Sequence, residues 1–133
     1  MGRVFWNSVR KHPQFDYNRI MEDSHAASCF AALAHPARLR VFRALVVAGA
    51  DGLTPGVLAQ SLALPAATLS FHLKELMHTG LVCAQRSGRH IHYRAELERM
   101  NALLSYLSEN CCQGQGCLAP SNLLCTLPEP QHD

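Results

Sequence analysis

The chain has 133 residues, of which 48% are hydrophobic and 17% charged, which fits one globular domain and excludes two ordinary domains, a fibrous repeat or a disordered polymer. No apolar stretch approaches the ~20 residues that cross a bilayer, and no secretory signal follows the basic N-terminal residues, so we expect a cytoplasmic protein with no membrane partner. The net charge of +2 is uneven: seven Arg or Lys residues face two acidic ones between positions 35 and 94, whereas five acidic residues and one Arg follow. This basic middle is typical of a polyanion-binding domain, and the alternative is an ordinary solvated surface.

The beginning of the chain shows no helical or strand period, and we predict a flexible extension over residues 1–22. Met21 is followed by acidic residues and by Ser24, residue types that favour the start of a helix. Met21 is therefore also a candidate for the physiological first residue. The first helix is predicted from Ser24 to Ala34.

The second helix is predicted to begin at Pro36, because proline suits the first turn of a helix, and to end at Gly49. Apolar residues recur along it at steps of three and four, which indicates one buried face. The residues predicted to point inward are Leu39, Phe42, Leu45 and Val46.

Two helices joined by a short turn follow. Thr54 is placed to cap a third helix that ends at Leu62, with Val57, Leu58 and Leu62 inward. A fourth helix is predicted over residues 66–79. The fourth helix has an apolar stripe at i, i+4 and i+7, formed by Leu69, Leu73 and Leu76. Its other faces carry Thr68, Ser70, Phe71 and Lys74. This arrangement is typical of a helix-turn-helix, whose second helix enters the major groove of DNA.

Two strand-like segments, residues 81–86 and 90–94, flank Ser87-Gly88-Arg89 and predict a β-hairpin with a basic tip. A last helix is predicted from Glu96 to Cys112. Its apolar seam, suited to pairing with a second copy of the chain, consists of Leu97, Met100, Leu104 and Leu107, and continues to Cys111. The remainder, residues 113–133, is predicted to be a flexible tail that contains cysteines.

This order of elements resembles the ArsR/SmtB family of winged-helix metalloregulatory repressors, and the resemblance covers about residues 24–117. The motifs that carry it are Leu33-Ala34-His35-Pro36-Ala37-Arg38-Leu39-Arg40, Ser70-Phe71-His72-Leu73-Lys74-Glu75-Leu76 and Gly80-Leu81-Val82. The resemblance implies a mainly α fold with a small β-hairpin and one winged helix-turn-helix domain over residues 23–112. It also implies a homodimer through the terminal helices, and operator double-stranded DNA as a partner whose affinity falls when an effector binds.

Carried onto this sequence, the resemblance places DNA contacts on the fourth helix and on the hairpin. Hydroxyl, imidazole, ammonium and guanidinium groups donate to phosphates or to base edges. The predicted DNA-binding residues are Thr68, Ser70, His72, Lys74, Arg86 and Arg89. Alternatives stay open for two of them: His72 as a residue that stabilises the helix locally, and Thr68 as a turn residue.

Three of the six cysteines lie close together after the last helix. Cys111 and Cys112 are adjacent, and two glycines before Cys117 leave the chain free to bring a third sulfur back toward them. Soft thiolates without histidine or carboxylate favour trivalent arsenic as the effector, arsenite or methylarsenite, with antimonite as a related candidate. The three also resemble the C-terminal cysteine trio of some arsenite-responsive family members.

Other interpretations of the cysteines stay open. A fourth ligand from Cys125 would make a zinc site, and Cys29 would join if the first helix lies near the end of the last. For methylarsenite, Cys111 and Cys112 alone would suffice. Alternatively, these two thiols would be the redox-sensitive group of a redox-sensing repressor, or the arsenic-binding group of a carrier without a regulatory role. The family's Cys-x-Cys arsenic site and its histidine-containing zinc site are missing, because the third helix has no cysteine and the last has no histidine.

An enzyme is the remaining alternative. Residues 83–89, from Cys83 to Arg89, match the Cys-x5-Arg pattern of phosphatase-like loops. Such a loop runs from a strand into a helix whose N–H groups hold the oxyanion, whereas this segment is predicted to be a hairpin. We therefore predict that the chain is not an enzyme, and that Cys29 and Cys83 are small buried hydrophobic residues.

Overall fold

The computed structural model of the protein describes residues 21–114. Its elements, in chain order, are α1 (Asp23–Leu33), α2 (Pro36–Ala48), a 3-10 turn (Gly49–Asp51), α3 (Pro55–Leu62), α4 (Ala66–His78), β1 (Val82–Ser87), β2 (His90–Ala95) and α5 (Leu97–Ser108). This order confirms the predicted mainly α fold with a small antiparallel hairpin. The predicted N-terminal extension up to residue 20, and Cys117 and Cys125 in the predicted tail, lie outside the described residues.

Side chains that accept backbone N–H bonds mark the starts of α2 and α3. The Ala37 N–H donates to His35 Nδ1 over 3.2 Å, and the Val57 N–H donates to Thr54 Oγ1 over 3.4 Å. In both helices the next residue after the cap is a proline, whose missing N–H would have had no partner in the first turn anyway. These local signals explain why the predicted helix starts agree with the structure.

The core lies between the helices and the base of the hairpin. Its fully buried leucines are Leu45, Leu58, Leu69, Leu73, Leu76 and Leu81, so the apolar stripe of α4 is confirmed. Two residues predicted to point inward do not: Leu39 is 43% exposed and Val57 is 49% exposed. In α2 the inward position belongs to Val41, and a residue two places earlier points about 200° away around the helix.

A short backbone bridge ties the hairpin to the helical body. Leu53 and Tyr93 exchange two backbone hydrogen bonds of 2.8 Å each. Gly52 precedes this bridge with φ 66° and ψ −172°, and a Cβ at this position would lie 2.3 Å from the Tyr93 carbonyl oxygen. Only glycine fits this close backbone approach, which fixes the hairpin against the end of α2.

The last helix is shorter than predicted. It ends at Ser108 rather than at Cys112, because Glu109 adopts ψ 130° and Asn110 adopts φ 56°, and neither conformation continues a helix. A turn over Cys111–Gly114 follows, in which Cys112 also lies in the left-handed region at φ 54°. The expectation that Cys111 extends the apolar seam of the helix is therefore wrong.

Within the described part of the chain, no single helix is long and apolar enough to cross a membrane. Among residues 21–114, α3 and α4 are together long and apolar enough, but the pair is bent by 112°.

Candidate nucleic-acid interface and thiol pair

The face of α4 that points away from the core combines small, polar, aromatic and basic side chains. Ala67, Ser70, Phe71 and Lys74 are all exposed. Ser70 and Phe71 each lie three or four residues from both Ala67 and Lys74, so the four side chains form one stripe along the helix, and the buried leucines lie on the other side. This stripe is the surface that a helix-turn-helix presents to the major groove.

The residues of α4 that were predicted to contact DNA differ in their position relative to the exposed stripe. Ser70 and Lys74 lie in the exposed stripe. Thr68 is exposed as well, but six residues of helix turn it about 120° away from Lys74. The structure therefore brings Ser70 and Lys74 together and places Thr68 at the margin of the same surface.

His72 does not lie where we expected it. It is only 4% exposed, and its ring packs against His35 with the ring centroids 4.8 Å apart. Burial, followed by the nearby His35 and Arg38, lowers the pKa of His72, which favours its neutral form. The buried position contradicts the predicted DNA contact, and the ring contact with His35 ties α4 to the start of α2 rather than stabilising α4 locally.

The hairpin presents two guanidinium groups at its outer end. Arg86 and Arg89 are both exposed, and Ser87 pairs with His90 across a two-residue loop. The other end of the hairpin is held by buried Leu81 and by the bridge to Leu53. A hairpin fixed at its base with arginines at its tip has the form of a wing that reaches along a DNA backbone or into a minor groove.

Cys111 and Cys112 form a pair of neighbouring sulfur atoms just beyond α5. The Cys111 thiol donates to Cys112 Sγ over 3.6 Å, and Cys111 is a free thiol whereas Cys112 is disulfide-bonded in this structure. Among residues 21–114, no group of three or more His, Cys, Asp or Glu side chains is placed to hold a metal ion. The described residues thus supply two sulfurs of the predicted trio, and Cys117 lies outside them.

Cys29 is a core residue of α1. It is completely buried, and its thiol donates to the Thr79 carbonyl oxygen over 3.7 Å. Burial raises its pKa, which disfavours the thiolate that binds soft ions. This placement confirms the buried small-hydrophobe interpretation of Cys29 and argues against its role as an additional ligand.

Cys83 has a different environment from the one predicted. It is half-buried on β1 and accepts a hydrogen bond of 3.2 Å from Arg94 Nε, and Arg94 also pairs with Glu96 at 3.5 Å. Burial is the largest cause that raises the pKa of Cys83 to about 11, so the thiol is not activated as a nucleophile. With Arg89 in the hairpin loop, the Cys-x5-Arg segment lacks the strand-to-helix passage of a phosphate loop.

Helices α1 and α5 are linked by two side-chain contacts. His25 Nε2 lies 2.9 Å from Arg99 Nη1, and the Tyr106 hydroxyl donates to the Asp23 carboxylate. Burial and the charge of Arg99 lower the pKa of His25, so its neutral ring accepts from the guanidinium. These contacts join α5 to α1 near both ends of α5.

Large apolar side chains of α1 and α5 remain uncovered within the described chain. Phe30 is 37% exposed and Leu107 is 61% exposed. Leu97 and Met100, by contrast, pack against the core. The seam predicted from the sequence is thus divided between the domain's own core and its surface.

Comparison with known proteins identifies the fold and the family. The family model described as a helix-turn-helix domain matches residues 33–82. An ArsR-like transcriptional regulator from Rhodococcus sp. RHA1 is 30% identical, with 64% of this chain and 77% of that chain covered and a TM-score of 0.58. The transcriptional repressor BigR from Xylella fastidiosa is 27% identical, with 63% and 85% covered and a TM-score of 0.51.

The homodimeric winged helix-turn-helix DNA-binding domain of Mb0332 from Mycobacterium bovis shares the fold at 23% identity, with 72% of this chain and 89% of that chain covered and a TM-score of 0.52. No curated protein matches the sequence. The helix-turn-helix of α3 and α4, the hairpin wing and the similarity to the Rhodococcus regulator lead to one conclusion: this chain belongs to the ArsR family of winged helix-turn-helix transcriptional regulators.

Proposed function

We propose that the protein is an arsenic-responsive repressor that binds operator DNA as a homodimer and leaves it when thiolates capture trivalent arsenic or antimony. The observation that carries the proposal is the 3.6 Å separation of Cys111 Sγ and Cys112 Sγ. In this proposal Cys117 supplies the third sulfur for arsenite, and the pair alone suffices for methylarsenite.

The spacing of the two sulfurs suits the capture of one ion. Two thiolates bound to one tetrahedral zinc ion at about 2.3 Å are about 3.8 Å apart, so sulfurs at the observed distance can share a single centre of similar bond length. Thiolates without nitrogen or oxygen ligands select soft ions. Arsenous acid and three thiols give a tris-thiolate and three waters, and methylarsenous acid and two thiols give a bis-thiolate and two waters; arsenic stays trivalent in both reactions.

The DNA-binding half of the proposal is supported by the exposed groups of α4 and the wing. Ser70 and Lys74 lie on one stripe of α4, and Arg86 and Arg89 are exposed on the hairpin. Each cation that neutralises a phosphate releases counterions, so affinity for DNA should fall steeply as salt rises. Two copies of α4 in a dimer would read half-sites about one helical turn apart.

The homodimer is supported by the uncovered apolar residues of the first and last helices. Phe30 and Leu107 would be buried by a second copy that packs along α1 and α5. The Mycobacterium bovis neighbour is described as homodimeric. A partner on these helices would place each thiol pair close to the dimer interface, since Cys111 follows the end of α5 by three residues.

Release from DNA follows from this position. Capture of an ion replaces the turn over Cys111–Gly114 by a rigid thiolate complex at the end of α5, and α5 is linked to α1 through His25 and Arg99. A small change in the angle between the two copies would move their recognition helices out of register. Allosteric couplings of about 1–3 kcal/mol are typical and weaken binding by about 5- to 150-fold.

A redox-sensing repressor is the second candidate, and one observation favours it. Cys112 is disulfide-bonded in this structure, with the free thiol of Cys111 beside it. Oxidation of two thiols to a disulfide removes two electrons and two protons and would withdraw Cys112 from any ion. The arsenic proposal therefore applies to the reduced protein, the state that a reducing cytoplasm maintains.

The proposal is tested by fluorescence anisotropy of the reduced, full-length protein. Labelled duplexes are first selected from a random library by the protein itself, and the complex is then titrated with arsenite, zinc or peroxide. We expect release by arsenite and not by zinc. Release by peroxide alone would establish the redox switch instead, and the absence of any selected sequence would favour the arsenic carrier.

Three variants separate ion capture from DNA binding. Cys111→Ser and Cys112→Ser should bind the duplex as the unchanged protein does and should lose release by arsenite. Cys83→Ser is the matched control, because it removes a thiol of raised pKa that lies on the hairpin. Loss of duplex binding in the two test variants, or loss of release in the control, would contradict the assignment.

A further inference from the structure

An aromatic ring stands on the exposed stripe of α4, among the groups that carry the proposed DNA contacts. Phe71 is 55% exposed, although residues on the opposite side of the same helix, such as Leu73 and Leu76, are almost completely buried. Ser70 and Lys74 beside it are exposed. A phenyl ring in water is stabilised when a partner covers it, and this ring stands among the groups that carry the proposed DNA contacts.

The surroundings of Phe71 limit what that partner can be. Lys74 lies three residues further along α4, so it shares the exposed face of the helix with Phe71. Ala67, four residues before Phe71, adds a small apolar surface to the stripe. A partner that fits must offer a small apolar group beside a polyanionic backbone.

The major groove of B-DNA offers this combination. Its floor presents hydrogen-bond donors and acceptors and one apolar group, the C5 methyl of thymine, and phenylalanine is among the side chains that contact this methyl. We propose that Phe71 reads a thymine in each half-site by packing its ring on the C5 methyl group. This inference rests on the proposed DNA binding and assigns a specificity-determining residue to it.

The selectivity for thymine comes from the ring of Phe71, and a neighbouring side chain holds the helix in place. Phe71 has no donor or acceptor, so it contributes nothing through hydrogen bonds and only the presence of the methyl distinguishes the base. Ser70 on the same stripe has a hydroxyl that donates to a phosphate or a base edge and so fixes the register of the helix. A cytosine at the same position has hydrogen in place of the methyl and leaves the ring uncovered.

Deoxyuridine provides the test, because it differs from thymidine only by the absent C5 methyl. Duplexes selected by the reduced full-length protein are resynthesised with single thymidines replaced by deoxyuridine, and their affinities are measured by anisotropy at one salt concentration. We expect one thymine of each half-site to be sensitive, with about a fourfold weaker affinity, the size associated with burying one methyl group.

The variant Phe71→Ala then shows whether the ring causes the difference. It should bind the thymidine and deoxyuridine duplexes equally, and Phe71→Leu should retain part of the difference. Val47→Ala is the matched control: Val47 is an apolar residue of α2 that is 86% exposed and lies outside the α4 stripe. The control should keep the full sensitivity to deoxyuridine.

The outcomes distinguish this inference from the proposed function. Specific duplexes that bind equally with and without every thymine methyl would overturn the role of Phe71 and leave DNA binding intact. A deoxyuridine effect that persists in Phe71→Ala would overturn it too. A protein that selects no duplex sequence would contradict the DNA-binding proposal and this inference with it.

Discussion

Replacing Gly52 with alanine should detach the wing from the helical body and destabilise the domain. The new Cβ would lie 2.3 Å from the Tyr93 carbonyl oxygen, which belongs to the bridge between Leu53 and β2. Gly49→Ala is the matched control: Gly49 has φ 70° and ψ −145°, close to the 66° and −172° of Gly52, but a Cβ there meets no atom within 4 Å.

The difference between the two variants isolates the steric contact. Forcing alanine into this backbone region costs about 1–3 kcal/mol at either position. At Gly52 the two bridge hydrogen bonds are lost as well, and at about 0.5–1.5 kcal/mol each they add roughly 1–3 kcal/mol. Urea unfolding followed by circular dichroism measures both free energies of unfolding. Equal losses in Gly52→Ala and Gly49→Ala would refute the bridge as the anchor of the wing.

Three further predictions concern the core, the histidines and the hairpin thiol. Leu73→Ala should lower the free energy of unfolding by about 2–5 kcal/mol, because it leaves a cavity at a position that is only 1% exposed. Val47, which is 86% exposed, is the control: Val47→Ala should change the free energy of unfolding by less than about 0.5 kcal/mol in the same urea titration. The free energy of unfolding should fall as pH drops below 6.5, because the pKa values of His25 and His72 are lowered in the folded state and the unfolded chain therefore binds more protons at these two residues. A free energy of unfolding that stays constant between pH 7.5 and 5.5 would contradict this. Cys83, whose pKa is raised to about 11, should react with iodoacetamide at neutral pH far more slowly than a cysteine in a short unstructured peptide. Mass spectrometry follows both reactions, and equal rates would show that Arg94 activates the thiol.

Local chemistry made much of the fold predictable from the sequence. Thr54 followed by proline marks the start of α3, and Pro36 marks that of α2, because capping and fixed φ act within one turn and need no tertiary partner. The leucine stripe of α4 was predicted for a similar reason: with three large apolar residues at i, i+4 and i+7, only one face of the helix can be buried.

Features that depend on packing were predicted less well. Leu39 and Val57 matched an apolar period, but Ala37 and Val41 take the buried positions of α2 instead of Leu39. A large apolar side chain on the surface carries no signal in the sequence that distinguishes it from a core residue. His72 lies inside, where its ring packs at a tilted angle against His35, a residue 37 positions earlier. The end of α5 at Ser108 depends on the left-handed conformation of Asn110, which asparagine adopts readily but which the sequence does not require.

In the candidate site, too, the residue types could be predicted from the sequence, whereas their exposure could not. Sequence motifs identified α4, the wing and the cysteine pair, since charge, hydroxyl groups and sulfur are properties of the residues themselves. Exposure then separated Ser70 and Lys74 from His72, and it revealed Phe71, which the sequence analysis had placed away from the core without giving it a role.

The central claim is that ion capture by the thiol pair and DNA binding are coupled, and coupling free energies are reciprocal. The most direct test is therefore the arsenite affinity of the reduced protein, measured once alone and once saturated with its selected duplex. We expect the duplex to weaken arsenite binding by the same factor by which arsenite weakens duplex binding, about 5- to 150-fold. Identical arsenite affinities with and without the duplex would contradict it, because the thiols would then hold arsenic without regulating DNA binding.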